Sequence, residues 1–162
     1  MATSAGGLTI RRARPEEAEA LSELAAWSKA VWGYDEAFLE EARQLLRITP
    51  EYVARAEVHV AEDGGRLVGF YGLERAGGAE AEVGFLFVDP DALGTGVGRA
   101  LWDHAVGTAR ALGLTSFLIE ADPHAEGFYR TMGAEWIGTR PTGVGGRPLP
   151  LFRFSIGEGG RR

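Results

Sequence analysis

Small and apolar residues recur at three- and four-residue steps through Ala18, Leu21, Leu24, Ala25, Ser28, Val31 and Trp32, the spacing of one helical face. Glu16, Glu17 and Glu19 crowd the start of that stretch, where negative charge suits the helix dipole. "WGY" (Trp32–Tyr34) interrupts the pattern, and Phe38, Ala42, Leu45 and Leu46 restart it as a second, shorter amphipathic helix. "TPEYVARAE" (Thr49–Glu57) predicts a proline-led turn with room for one further helical turn. Ahead of all this, "LTIRRARP" (Leu8–Pro15) predicts a strand stopped by its proline.

The periodicity changes after Glu57. "EVHVAED", Gly64-Gly65 and "RLVGFYGLE" predict a β-hairpin turning on glycines. Gly77-Gly78 leads into a strand over Glu80–Val88. Val83, Phe85 and Phe87 point to one side of it, Leu86 and Val88 to the other, which predicts a central strand covered on both faces. Val97, Leu101, Ala105, Thr108 and Leu112 then mark a helix, stopped by Gly113. "TSFLIEA" predicts a buried strand, and "PHAEGFYRTMG" a short helix closed by Gly133 as its left-handed cap. "AEWIGTR" and "LPLFRFSI" predict the last strands, leaving residues 1–7 and 157–162 as flexible termini around a single domain over 8–156. The order of elements predicts an α/β (α+β) fold: three antiparallel strands, a strand–helix–strand unit, and a closing helix with strands.

Composition narrows the chemistry. A chain of 162 residues with 45% apolar and 25% charged positions is long enough for one sizeable core. With no cysteine, disulfides, thiolate metal sites and cysteine nucleophiles are excluded. No apolar run is long enough to span a bilayer as a helix, and "MATSAGG" lacks the basic-then-apolar signal pattern, so the expectation is a cytoplasmic protein without membrane partners. A formal net charge of −6 argues against nucleic acid as a partner.

Candidate chemistry centres on "DALGTGVGRALW" (Asp91–Trp102), where Gly94, Gly96 and Gly98 stand between a predicted strand and a predicted helix. Unhindered N–H groups at a helix N-terminus attract phosphate oxygens, because those donors lack intrahelical partners and the helix dipole adds to them. Arg99 stands where a dinucleotide fingerprint needs its third glycine, and the Lys-Ser/Thr of a P-loop is missing. A purely structural turn therefore remains the alternative to a phosphate cradle at this point.

The stretch "FLFVDPDALGTGVGRALW", followed some thirty residues later by "DPHAEGFYRTMGA", resembles the GNAT superfamily of acetyl-CoA-dependent N-acetyltransferases. Val88 and Pro90 match the Val-x-Pro that ends the family's coenzyme strand, and Gly96 and Gly98 fall on its two loop glycines. Ala125, Phe128, Tyr129 and Gly133 fall on its second signature, and the element order extends the likeness from Leu8 to Ile156. The resemblance implies a mixed, mainly antiparallel sheet of about six or seven strands, with helices on both faces and a splayed strand pair. It also implies acetyl-CoA as cosubstrate, without a metal. The coenzyme pyrophosphate would then sit on the loop of Gly94, Thr95, Gly96, Val97, Gly98 and Arg99. The pantetheine arm would pair with the strand at Phe87 and Val88, with Asp122 and Phe128 of the second signature completing the coenzyme site. Gly84 would mark the bulge that splays the strand, or serve plain packing. Two positions depart from the family pattern: Leu93 replaces a Gln or Arg at the head of the loop, and Asp122 replaces an Asn. Asp-Pro at that second position is common in one bacterial branch of the family.

Acetyl transfer to an amine needs two roles. A lysine-like amine is neutral in only about one molecule in 2,500 at pH 7, so something must take its proton. The leaving thiolate gains from a donor beside the sulfur. The resemblance assigns the donor to Tyr129, whose alternative is a core residue paired with Phe128. It assigns the base to Glu82 on the central strand, whose alternative is an exposed strand carboxylate; His59 and His124 are further candidates. "KAVWGYDEAF" (Lys29–Phe38) would line the acceptor side, with Trp32 and Tyr34 against a small-molecule or peptide amine, their alternative being core aromatics, and with Asp35 as the cap of the second helix, its alternative being attraction of a cationic amine. Pairing of subunits is common in the family. The competing function class is a regulator that binds coenzyme A without turnover.

Overall fold

The computed structural model describes residues 3–5 and 7–157. In chain order its strands are β1 (Thr3–Ala5), β2 (Leu8–Arg12), β3 (Glu57–Asp63), β4 (Arg66–Gly77), β5 (Glu80–Val88), β6 (Ser116–Glu120), β7 (Glu135–Arg140) and β8 (Leu149–Ser155). The helices are α1 (Ala18–Ala30), α2 (Glu36–Leu45), α3 (Pro50–Arg55), α4 (Val97–Ala111) and α5 (Glu126–Thr131). The hydrogen-bonded strand order is β1-β2-β3-β4-β5-β6-β8-β7. Pairing is antiparallel for β1–β2, β2–β3, β6–β8 and β7–β8, and parallel for β5–β6. The mixed, mainly antiparallel sheet that the sequence predicts is present. Among the described residues it has eight strands rather than about six or seven, since Thr3–Ala5, inside the predicted tail, pairs with Leu8–Ile10. The other predicted tail, apart from Gly157, lies outside the described residues. Among the described residues no helix is long and apolar enough to cross a membrane.

The chain groups into two compact units, the first running up to Gly72 with Phe85–Leu101, the second holding Leu73–Gly84 and the chain from Trp102. In the first, α1 buries Ala18, Leu21, Leu24, Ala25 and Ser28, and the four apolar ones pack with Tyr52, Val53, Val58, Val60 and Phe70. The predicted stripe stops short of its expected end. α1 finishes at Ala30 with Val31 as its C-cap, and Val31 and Trp32 are 46% and 42% exposed. Asp35 caps α2 by accepting from Phe38 N at 2.8 Å. The segment predicted as a turn forms α3 because Thr49 accepts from Tyr52 N at 3.1 Å while Pro50 occupies the first helical turn. Gly72 is needed for close approach: a Cβ there would lie 2.7 Å from Tyr52 Oη.

Trp102 is the hub of the second unit's core. Its ring meets Phe117, Phe128, Tyr129 and Phe154 with centroids 5.4, 6.3, 5.9 and 5.0 Å away, all edge-on. Strand alternation gives β5 and β6 a polar face as well: Ser116 Oγ donates to Glu80 Oε2 at 2.8 Å, and Arg153 Nε does so at 2.9 Å. In β5 the prediction of full cover on both faces holds for neither half. Ala81 and Val83 are buried but Glu82 between them is not, Gly84 is exposed, and Phe85 to Val88 are all half-buried.

Candidate active site

The glycine loop belongs to the first unit. Gly94 and Gly96 have φ of +79° and +92°, the left-handed region that side chains with a Cβ rarely enter. A Cβ at either would meet nothing within 4 Å, so backbone conformation, not crowding, demands glycine here. The first helical bond of α4 runs from Ala100 N to Gly96 O at 3.0 Å, so the amides of Val97, Gly98 and Arg99 have no intrahelical carbonyl to reach. Thr95 donates its hydroxyl to Ala92 O, which ties its side chain to the loop itself. Leu93, 51% exposed, stands at the head of the loop with no charge to offer an anion.

The strand feeding this loop has an open edge. Parallel pairing of β5 with β6 runs from Glu80–Ser116 to Val83–Ile119 and stops there, while β5 continues to Val88. Gly84 is the next residue, and it is exposed. Asp89 N donates to Val68 O on β4 at 2.8 Å, and Phe87 O lies 2.9 Å from where a Cβ would stand on Gly69 of β4. Phe87 therefore turns its carbonyl toward β4, and by strand alternation Leu86 and Val88 turn theirs to the open edge. The sequence points to Phe87 and Val88, but the backbone at this edge is that of Leu86 and Val88. Phe87 contributes its ring, 6.0 Å from that of Phe70.

Two residues that the sequence does not single out fix this edge. Ser28 of α1, 8% exposed, donates its hydroxyl to Val88 O. Asp89, 4% exposed, accepts from Asp91 N at 2.8 Å and lies 3.5 Å from Arg66 Nη2, so it holds the bend from strand to loop. The Asp-Pro pair was a legible turn signal; Ser28 looked like one more position on a helical stripe. On the predicted acceptor side, Tyr34 stacks on Phe38 at 3.9 Å with Lys29 Nζ 5.8 Å from its ring centroid, and Trp32 is exposed.

The second unit carries the predicted acid and base. Tyr129 is 6% exposed, its ring against Trp102, Phe128 and Phe152. Burial, with the Asp122 charge as a smaller contribution, pushes its phenol pKa well above the ordinary value. It stays protonated throughout the neutral range. Asp122 accepts from His124 N at 2.8 Å and lies 2.9 Å from His124 Nδ1, so its carboxylate caps the turn Pro123–Ala125. His59 stacks on Tyr71 with ring centroids 5.1 Å apart.

Glu82 is half-buried on β5. Burial raises its pKa, the Arg140 charge opposes that rise, and the neighbouring carboxylates of Glu120 and Glu74 add to it. Arg140 Nη1 lies 3.2 Å from Glu82 Oε2. Among the described residues, no group of three or more His, Asp or Glu side chains is arranged to hold a metal ion.

A strand with an open edge, running into a glycine loop whose amides point past the start of a helix, defines a protein that can take an extended, phosphate-bearing cosubstrate. The acetyltransferase (GNAT) family model matches residues 18–134, and the chain belongs to that family. It is 34% identical over 150 residues to the peptidyl-lysine N-acetyltransferase YjaB of Salmonella typhimurium, covering 91% of this chain and 97% of that protein. It is 29% identical over 147 residues to the 5-NmdU N-acetyltransferase of Pseudomonas phage PaMx11, covering 90% and 98%. Among solved structures, the PaiA N-acetyltransferase of Thermoplasma acidophilum in complex with coenzyme A superposes with a TM-score of 0.77 over 91% of this chain and 98% of that one; at 19% identity the likeness is one of fold.

Proposed function

We propose that the protein transfers the acetyl group of acetyl-CoA to a primary amine by direct attack of the amine on the thioester, and that the acceptor is a lysine side chain in a peptide. The arrangement at the end of β5 carries this reading. Left-handed Gly94 and Gly96, and the amides of Val97 to Arg99, fit a pyrophosphate. The edge groups of Leu86 and the N–H of Val88, whose carbonyl already accepts from Ser28, fit an amide-bearing arm added as a strand. The lysine acceptor draws its support from YjaB, whose name states that specificity. We read residues 8–156 as one acetyltransferase domain, in the cytoplasm, where acetyl-CoA is at hand.

Acetyl-CoA supplies an activated acyl group; the chain's own residues hold it and manage protons. Glu82 takes the ammonium proton. Lowering an amine from its charged to its neutral form at pH 7 costs about 4.6 kcal/mol, and a carboxylate whose pKa is raised by burial is better matched to that task. Tyr129 donates a hydrogen bond to the departing thiolate. Its raised pKa makes it a weak Brønsted acid, so it acts by stabilising negative charge on sulfur more than by handing over its proton. Tyr34 and the exposed Trp32 offer the acceptor aromatic surface.

Tyr129→Phe tests the assignment. It keeps the ring and its contacts with Trp102, Phe128 and Phe152 while deleting only the hydroxyl. A hydrogen bond to a charged partner contributes ~1.5–3 kcal/mol, so kcat should fall roughly 10- to 150-fold with acetyl-CoA affinity nearly unchanged. Release of free thiol, followed with lysine-containing peptides, gives the rate. A Tyr129→Phe enzyme working at the wild-type rate would remove Tyr129 from the mechanism. Coenzyme binding without thiol release on any amine would favour the regulator.

A further inference from the structure

Glu82 shares its face of the sheet with other charges. Arg140 on β7 places Nη1 3.2 Å from Glu82 Oε2 and 2.6 Å from Glu120 Oε2. Glu120 on β6 also accepts from Thr142 Oγ1 at 2.8 Å. Glu74 on β4 acts on Glu82 through its charge. Arg153 on β8, the other cation near this face, is bonded to Glu80 at 2.9 Å. Leu118, directly opposite Glu82 on β6, brings no charge. One guanidinium is thus divided between two carboxylates, with the shorter bond to Glu120.

We propose that Arg140 is a positioning residue for Glu82: by bridging it to Glu120, Arg140 holds Oε2 so that the amine proton is taken on Oε1, and its division between the two carboxylates sets how readily Glu82 accepts that proton. The bridge joins two carboxylates through one cation. Here the second competes for the same cation and repels the first, so the two neighbours of Glu82 pull its protonation in opposite directions. Without Arg140, Glu82 keeps the burial and the two like charges and loses what opposes them. Without the Glu120 charge, Arg140 is left to Glu82 alone. The proposal rests on the reading of Glu82 as the base, and two readouts keep them apart.

The experiment follows the Glu82 carboxyl by carbon NMR in the full chain, with the signal assigned by its loss in Glu82→Gln. In parallel, the pH profile of kcat/KM is measured for wild type, Arg140→Met and Glu120→Gln. The Glu82 midpoint should rise by about one pH unit in Arg140→Met and fall in Glu120→Gln. The acid limb of kcat/KM should move the same way, leaving Arg140→Met roughly tenfold slower below the limb, with KM for acetyl-CoA unchanged. Arg140→Lys, which keeps the charge without the fork, should restore part of the shift and serves if Arg140→Met fails to fold. Midpoints that stay in place, or that move in the same direction in both variants, would overturn the proposal. Midpoints that move as expected while the acid limb stays fixed would leave Arg140's hold on Glu82 standing and remove Glu82 as the base.

Discussion

Gly96→Ala separates the cost of the loop to the fold from its use in binding. Gly96 has φ +92°, and a Cβ there would meet nothing within 4 Å, so the free protein suffers only backbone strain. That strain is ~1–2 kcal/mol for a residue with a Cβ in the left-handed region. In a domain of this size each kcal/mol moves Tm by ~2–4 °C, so the free variant should melt about 2–8 °C lower. Acetyl-CoA at one hundred times its Kd adds ~2.7 kcal/mol to the wild type. In the variant the new methyl group stands among the amides proposed to receive phosphate, or the loop relaxes and turns them away. A hundredfold loss of affinity would leave only ~0.4 kcal/mol of that gain at the same ligand concentration. The assay is thermal unfolding with and without acetyl-CoA. Gly65→Ala is the matched control: φ is +85° in the β3–β4 hairpin turn, again with nothing within 4 Å. It should cost similar stability and keep the full coenzyme rise. A Gly96→Ala protein that also keeps the full rise would refute the phosphate assignment.

Two substitutions nearby probe the same site from other sides. Leu93 is half exposed, so Leu93→Arg should leave the fold alone and tighten acetyl-CoA binding roughly 3- to 10-fold, an effect that shrinks with salt. Calorimetry that found no gain would mean the backbone amides suffice. Ser28→Ala deletes the buried donor to Val88 O and leaves that carbonyl short of a partner, at ~1–3 kcal/mol. It should lower Tm and weaken acetyl-CoA binding a few-fold; unchanged affinity by calorimetry would show that the strand edge keeps its shape without α1.

Much of the fold was legible because local chemistry wrote it. Asp35 is a cap in sequence and a cap in the structure, and the glycine pair at 64–65 turns a hairpin as its φ freedom allows. Gly94 and Gly96 before a helical stripe announced a loop that only glycine could make, and Val88-x-Pro90 placed it after a strand. Where the local signal was weak, the outcome was set by length and neighbours. Thr3–Ala5 carries no strand signature, yet β2 offers it an edge to pair with. Val31 and Trp32 continue the apolar spacing of α1, but the helix ends before them and leaves them in solvent.

The sequence alone determined the family, the loop and the residue types able to move protons, because glycines, a tyrosine and a strand glutamate at fixed spacing are one-dimensional facts. Tertiary structure decided how those groups are held. Which backbone faces the open edge of β5 depends on hydrogen bonds to β4, and no pattern of side chains along β5 states it. Ser28 reaches Val88 across 60 residues of chain, and Arg140 reaches Glu82 across 58. Contacts of that range exist only once strands and helices have packed. The charge and hydrogen bonding around Glu82 and Val88 come from such contacts, and so they leave no mark on the sequence beside either residue.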